Sequence, residues 1–255
     1  MLRYLAVASA VALGALLMWP APPTGRLVRV YGADPASADR VAVVVPGADT
    51  TVATFESSTR NPGGAARALV AEAARLAPGE RLAVVAWLGY DSPPTLSFDV
   101  LTDEAAVAGS RELRRAVSAL RHRTAAPIAL LCHSYGSYIC AQAAPGLPVA
   151  ALAFIGSPGV GAGPAVPATR ARVWAGLGDN DWVRLVPKIK LGAFGFGSDP
   201  MSGDYGARRF EAGAGGHSDY YRPGSISLSN LALIALGHDS EVTLESETPT
   251  RTARS

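Results

Sequence analysis

Short, almost wholly apolar runs alternate along the chain with longer stretches whose apolar positions recur every three or four residues. Leu27–Tyr31, Val41–Val45, Arg81–Trp87, Ile128–Cys132, Val149–Ile155 and Ala171–Ala175 predict strands. Several are continuously apolar, the pattern of a strand covered on both faces. Pro62–Ala77, Asp103–Arg123, Tyr135–Ala144 and Ser225–Leu236 predict helices. The second of these has apolar residues at Ala106, Val107, Leu113, Val117 and Leu120, and the third stops at Pro145-Gly146. Alternation of strand and helix implies a mostly parallel sheet with right-handed crossovers and helices on both faces. The link from Ile155 to Ala171 is rich in Gly and Pro and has little room for a full helix. A large lid domain does not fit there, so an α/β fold with a minimal lid or none is expected.

The pattern changes at both ends. Arg3 precedes an uncharged apolar run, Tyr4 to Trp19, which ends at Pro20-Ala21-Pro22-Pro23. A basic start, an apolar core and a helix-breaking exit resemble an export signal. The run falls slightly short of the roughly 20 residues of a membrane span. No small-x-small cleavage site follows it, so residues 1–24 are expected to be a signal peptide or a retained N-terminal membrane anchor. Either places residues 25–238, the α/β domain, outside the cytoplasm, secreted or attached to the membrane. Residues 239–255 turn polar, rich in Ser, Thr and Glu, and predict a disordered tail.

Composition narrows the classes. The 255 residues are 49% hydrophobic and 17% charged, which suits one well-buried domain. A net charge of +2 carried by scattered arginines forms no basic stripe, so no nucleic-acid partner is expected. There are two cysteines, Cys132 and Cys140. One closes a strand and the other sits more than a turn into the next helix, so two buried free thiols are expected. No Cys/His cluster has zinc spacing, and neither a metal nor a cofactor is expected.

The candidate chemistry lies at Cys132-His133-Ser134-Tyr135-Gly136, between a predicted strand and a predicted helix. This resembles the Gly-x-Ser-x-Gly nucleophile elbow, with a small cysteine in place of the first glycine. A serine hydroxyl needs a base to take its proton and an acid to orient that base. In sheets of this kind the order is Ser, acid, His, each on a loop at the C-terminal edge. Of the four histidines, His122 lies at the wrong end of the sheet, His133 adjoins the serine and His238 borders the tail. His217 remains, on a loop led by Gly213-Ala214-Gly215-Gly216. Asp179 and Asp181 alone among the intervening acids directly follow a core strand. Asp181 is preferred, and Asp179 stays open as the alternative. Oxyanion donors are expected at the backbone of Tyr135 and of Ala48, the latter after Val45-Pro46-Gly47. Trp182 and Tyr220 are the candidate substrate-binding aromatics. Trp87, Tyr90, Phe194, Phe196, Tyr205 and Tyr221 also fall near the expected site.

The blocks VVVPGADTT, HSYGS, GSPGVG, WAGLGDNDWV, FGSDPMSGDYGARRF and GHSDYYRPGS occur in this order. Together they resemble the actinobacterial α/β-hydrolase family catalogued as a domain of unknown function (DUF1023), over roughly residues 26–238. The resemblance implies the α/β-hydrolase fold and hydrolysis, and fixes no substrate. A serine esterase acting through an acyl-enzyme on a small-molecule or lipid ester is therefore expected. Two alternatives use the same fold: a non-catalytic binding module, and an acyltransferase with another acceptor than water.

Overall fold

The computed structural model describes residues 25–95, 103–161, 169–188, 190–191 and 194–246. The expected signal or anchor, residues 1–24, lies outside the described residues, as do residues 247–255. In chain order the elements are β1 (Leu27–Gly32), β2 (Arg40–Val45), α1 (Pro62–Leu76), β3 (Leu82–Leu88) and α2 (Asp103–Arg121). They continue with β4 (Ile128–His133), α3 (Tyr135–Ala143), β5 (Ala151–Ile155) and β6 (Arg172–Gly176). A small hairpin, β7 (Lys190–Leu191) and β8 (Phe194–Gly195), precedes β9 (Arg208–Arg209) and α4 (Ile226–Leu236). The last helix is held at its start by Ser225, whose hydroxyl accepts the Leu228 N–H, and ends at a left-handed Gly237.

The sheet runs in the order β1-β3-β2-β4-β5-β6-β9. Every pairing is parallel except that of β1 with β3. β3 and β5 are buried along their whole length, and β2 and β4 are buried except at one end residue, as their apolar runs require. β1, at the edge, leaves Val28 and Val30 exposed. The crossover from β2 to β3 runs one way along the sheet and that from β3 to β4 runs the other. With right-handed crossovers this puts α1 and α2 on opposite faces. α1 packs with α4, and α2 with α3. The reversal leaves a crevice at the carboxyl ends of β2 and β4, where open α/β sheets bind ligands. Among the described residues no helix is long and apolar enough to cross a membrane.

Two expectations are corrected. Cys132 and Cys140 are joined in a disulfide, with Cα atoms 6.4 Å apart, rather than being free thiols. The turn at Ser134 reverses the chain, so α3 runs back over β4. Cys140, five residues and about 7.5 Å into that helix, returns beside Cys132 instead of pointing away. The polar tail also departs from expectation over residues 239–246. Glu211 and Glu245 donate backbone hydrogen bonds to Thr243 and Arg209, Val242 is buried, and Asp239 pairs with Arg172.

Candidate active site

Ser134 closes the first turn of the crevice at φ 54° and ψ −127°, a left-handed backbone that non-glycine residues rarely hold. Its N–H donates to the Ile155 carbonyl at 2.9 Å, and its own carbonyl accepts the Ser137 N–H at 2.9 Å. The Ser137 hydroxyl donates to the Cys132 carbonyl at 2.9 Å, and the disulfide closes the same turn covalently. Gly136 is needed because a Cβ there would lie 2.5 Å from the Pro46 carbonyl. These contacts pin the turn with the hydroxyl projecting from the sheet edge, the geometry of a nucleophile elbow.

Asp181, His217 and Ser134 come together in one hydrogen-bonded chain. His217 Nδ1 lies 3.0 and 2.9 Å from the two Asp181 carboxylate oxygens, and its Nε2 lies 2.8 Å from Ser134 Oγ. The carboxylate only accepts, so Nδ1 carries the ring proton and Nε2 is left to accept the serine proton. Burial pushes the Asp181 carboxyl pKa up, but hydrogen bonds from His217, Tyr220 and the Val183 N–H hold it below its ordinary value. Asp181 is thus an anion shielded from solvent. Asp179 faces solvent and pairs with Arg184 at 3.4 Å, so the alternative acid does not reach His217.

Neighbouring loops fasten these groups. The Asp219 carboxylate accepts the Gly216 N–H at 2.8 Å beside His217. The Asn180 amide donates to the Ala214 carbonyl at 2.7 Å, tying the Asp181 loop to the His217 loop. His133 does not touch the serine hydroxyl. Its Nε2 lies 2.8 Å from the backbone carbonyl of His217, and its ring lies 4.7 Å from the His217 ring. Burial, and then the neighbouring His217, push the His133 pKa down to about 3. The neutral ring therefore donates through Nε2 and adds no charge beside His217. Sequence order removes His133 as a base and carries no signal for this supporting contact.

The expected oxyanion donors face the same pocket, since Ala48 and Tyr135 both line it beside Ser134. Gly47 must be a glycine: a Cβ there would lie 2.6 Å from the Ser134 Cβ. Three hydroxyls converge on the Gly47 carbonyl, from Thr50 at 3.1 Å, Ser92 at 3.0 Å and Tyr90 at 3.0 Å, the Tyr90 proton being shared with the Pro46 carbonyl at 2.9 Å. They fix the peptide that aims the Ala48 N–H. Tyr90 and Ser92 lie more than forty positions from Gly47 and follow another strand, so sequence reasoning places Tyr90 only as a nearby aromatic.

The pocket has a volume of about 530 Å³. Trp182, half exposed, stands over the His217 ring at 4.9 Å and lines it, as does Phe196. Tyr220 is a correction. It is buried behind the acid rather than lining the pocket, and its hydroxyl donates to Asp181 at 2.5 Å while accepting the Gly178 N–H at 3.1 Å. Its phenol faces inward because the loop turns between His217 and Tyr220, a reversal that spacing alone does not reveal. Trp87, Tyr90, Tyr205 and Tyr221 are core residues, and the Phe194 side chain lies outside the described residues. Among the described residues no cluster of His, Cys, Asp and Glu could hold a metal.

Comparison with known proteins agrees with this architecture. An uncharacterized protein of Mycobacterium tuberculosis, Rv2079, is 27% identical over 247 residues, covering 84% of this chain and 37% of its own length. A second from the same organism, Rv0963c, is 33% identical over 151 residues, 56% of each chain. The chain thus spans little more than a third to about half of these relatives. Esterase PE8 superposes with a TM-score of 0.53 at 15% identity, covering 83% of this chain and 98% of that one. Dienelactone hydrolase from Anabaena variabilis superposes at 0.52 and 16% identity, covering 86% of this chain and 93% of that one. A family model described as alpha/beta hydrolase matches residues 22–191, and the chain belongs to that family.

Proposed function

We propose that this protein is a serine hydrolase that cleaves carboxylic esters through an acyl-enzyme on Ser134. The observation that carries the reading is the unbroken chain of hydrogen bonds from buried Asp181 through His217 to the Ser134 hydroxyl. His217 Nε2 takes the hydroxyl proton as Ser134 Oγ attacks the ester carbonyl, while Asp181 steadies the imidazolium that forms. The N–H groups of Tyr135 and Ala48 stabilise the oxyanion, in a loop already fixed before substrate arrives. His217 then protonates the leaving alcohol. Water, activated by the same ring, releases the acid. Esterase PE8 and dienelactone hydrolase share the fold, which is consistent with ester chemistry here.

Export is part of the proposal. The apolar leader supports it, and so does the Cys132–Cys140 disulfide, since such bonds persist in oxidising compartments. The substrate then lies outside the cytoplasm, a small-molecule or lipid ester. Labelling with a fluorophosphonate tests the reading directly. Wild-type protein should be labelled, and Ser134→Ala should not. Folded wild type that takes no label would favour a binding module instead. Labelled enzyme that turns over faster with an added alcohol than with water would favour an acyltransferase.

A further inference from the structure

The pocket around Ser134 is chemically divided, and the division follows strand order. β2 and β3 lie on one side of β4, while β5, β6 and β9 lie on the other. The β5–β9 side contributes Pro158, Trp182, Val183, Val186 and Phe196 around His217, an apolar wall with Ser218 at its end. The β2–β3 side contributes Asp49, Thr50, Thr54, Arg60, Asn61 and Thr95, a polar wall.

Most polar groups of that second wall are already engaged. The Asp49 carboxylate is turned onto Thr95, accepting its N–H and its hydroxyl. The Thr50 hydroxyl donates to Gly47, the Thr54 hydroxyl to the Thr51 carbonyl, and the Asn61 amide to Ser57 and Ser58. Arg29 and Arg67, borne on nearby elements, are each paired with Glu56. Arg60 differs. It is an exposed residue that lines the pocket, and its guanidinium has no hydrogen bond or ion pair among the described residues.

The proton path orients a substrate between the walls. His217 must reach the leaving alcohol, so the alcohol departs on the apolar side, beside Trp182. With the carbonyl oxygen turned to the Tyr135 and Ala48 N–H groups and the alcohol on the apolar side, the polar wall beyond Ala48 is the face left for the acyl group. We propose that Arg60 binds a carboxylate carried on the acyl group, making monoesters of dicarboxylic acids with apolar alcohols the preferred substrate class. The proposal rests on Ser134 acting as the nucleophile of an ester hydrolase. A guanidinium offers a planar fork of donors matched to a carboxylate, and here no protein carboxylate competes for it.

A matched pair of esters tests this: 4-nitrophenyl hexanoate and mono-4-nitrophenyl adipate, which differ only by a terminal carboxylate on the same chain length. Wild type should favour the adipate by about tenfold in kcat/KM, mainly through KM. The ratio should collapse in Arg60→Ala, be partly restored in Arg60→Lys and invert in Arg60→Glu. It should also fall with added salt, since a partly exposed pair is screened over about 10 Å at 0.1 M. Fluorophosphonate labelling of each variant shows that the site is intact. An enzyme that is labelled and cleaves hexanoate, with the same ratio in wild type and Arg60→Ala, overturns the Arg60 assignment alone. Wild type that takes neither ester nor label removes the esterase reading and the assignment with it.

Discussion

On the β2–β3 side of β4, the loop carrying Ala48 is held by neutral hydroxyls from Thr50, Tyr90 and Ser92, all converging on one carbonyl. On the β6–β9 side, the loops carrying Asp181 and His217 are held around a buried anion and a ring that can change charge. The difference follows the work each side would do. An oxyanion is best met by dipoles fixed in advance, which need no proton movement and little reorganisation. A proton relay needs groups that titrate, and Asp181 keeps its charge when buried because three donors surround it. Ser134 stands between the two, in a turn closed by a disulfide.

That contrast can be broken from either side, and the largest loss is expected at its centre. Ser134→Ala and His217→Ala should each lower turnover by on the order of 10⁵-fold or more, and their double variant little further, because such groups act as a unit. Steady-state ester hydrolysis with active-site titration measures this. Asp181→Asn should cost about 10⁴-fold in kcat by spoiling the ring tautomer. Asp179→Asn, at an exposed turn, should leave kcat close to wild type, and a larger loss there than in Asp181→Asn would reverse the assignment.

Replacing both Cys132 and Cys140 by Ala should lower unfolding free energy by about 2–3 kcal/mol, the chain-entropy value for so short a loop. Urea denaturation under matched redox conditions reads it. On the dipole side, Tyr90→Phe with Ser92→Ala should lower kcat by roughly 10–100-fold, with little change in KM, because the Ala48 peptide loses two of its three restraints. An equal rise in KM would mean the loop serves ground-state binding instead.

The smallest effect, over the range from pH 7 to 5 in which it is read, is one of pH on stability. His133 has its folded pKa pushed down to about 3, well below its ordinary value. The unfolded chain therefore binds the proton more readily. Stability is fully present above about pH 6.5 and is lost as pH falls from there toward 3, by up to about 1.4 kcal/mol per unit. Asp181, also lowered, adds to the loss only below the ordinary carboxylate range. His133→Phe should flatten the upper part of that slope, measured as urea midpoints between pH 7 and 5.

Much of the fold was legible because the strands are continuously apolar and the helices stop at Pro-Gly or Gly. Val43-Val44-Val45 and Ile128 to Leu131 could only be central strands. That Ser134, Asp181 and His217 would meet was legible for a different reason: chain order and loop position removed the other histidines and left two acids, of which the structure brings Asp181 and not Asp179 to His217. What escaped was direction across space. Cys140 was misread because helical phase was judged without the reversal at Ser134. Tyr220 was misread because two residues of one loop can face opposite ways. Tyr90 and Ser92 escaped as loop fasteners, since a hydroxyl's partner forty positions away leaves no mark in local pattern.

Ser134 meets His217 across 83 positions of chain, and His217 meets Asp181 across 36. No local segment can assemble this chemistry. The hydrogen-bonded chain exists only when β4, β6 and the loop beyond β9 have all found their places, among the slowest kinds of contact to form. On the proposed mechanism, fluorophosphonate labelling of Ser134 would therefore be a late reporter of folding. During refolding it should lag behind the recovery of helical and sheet signal, and a chain truncated before His217 should never acquire it.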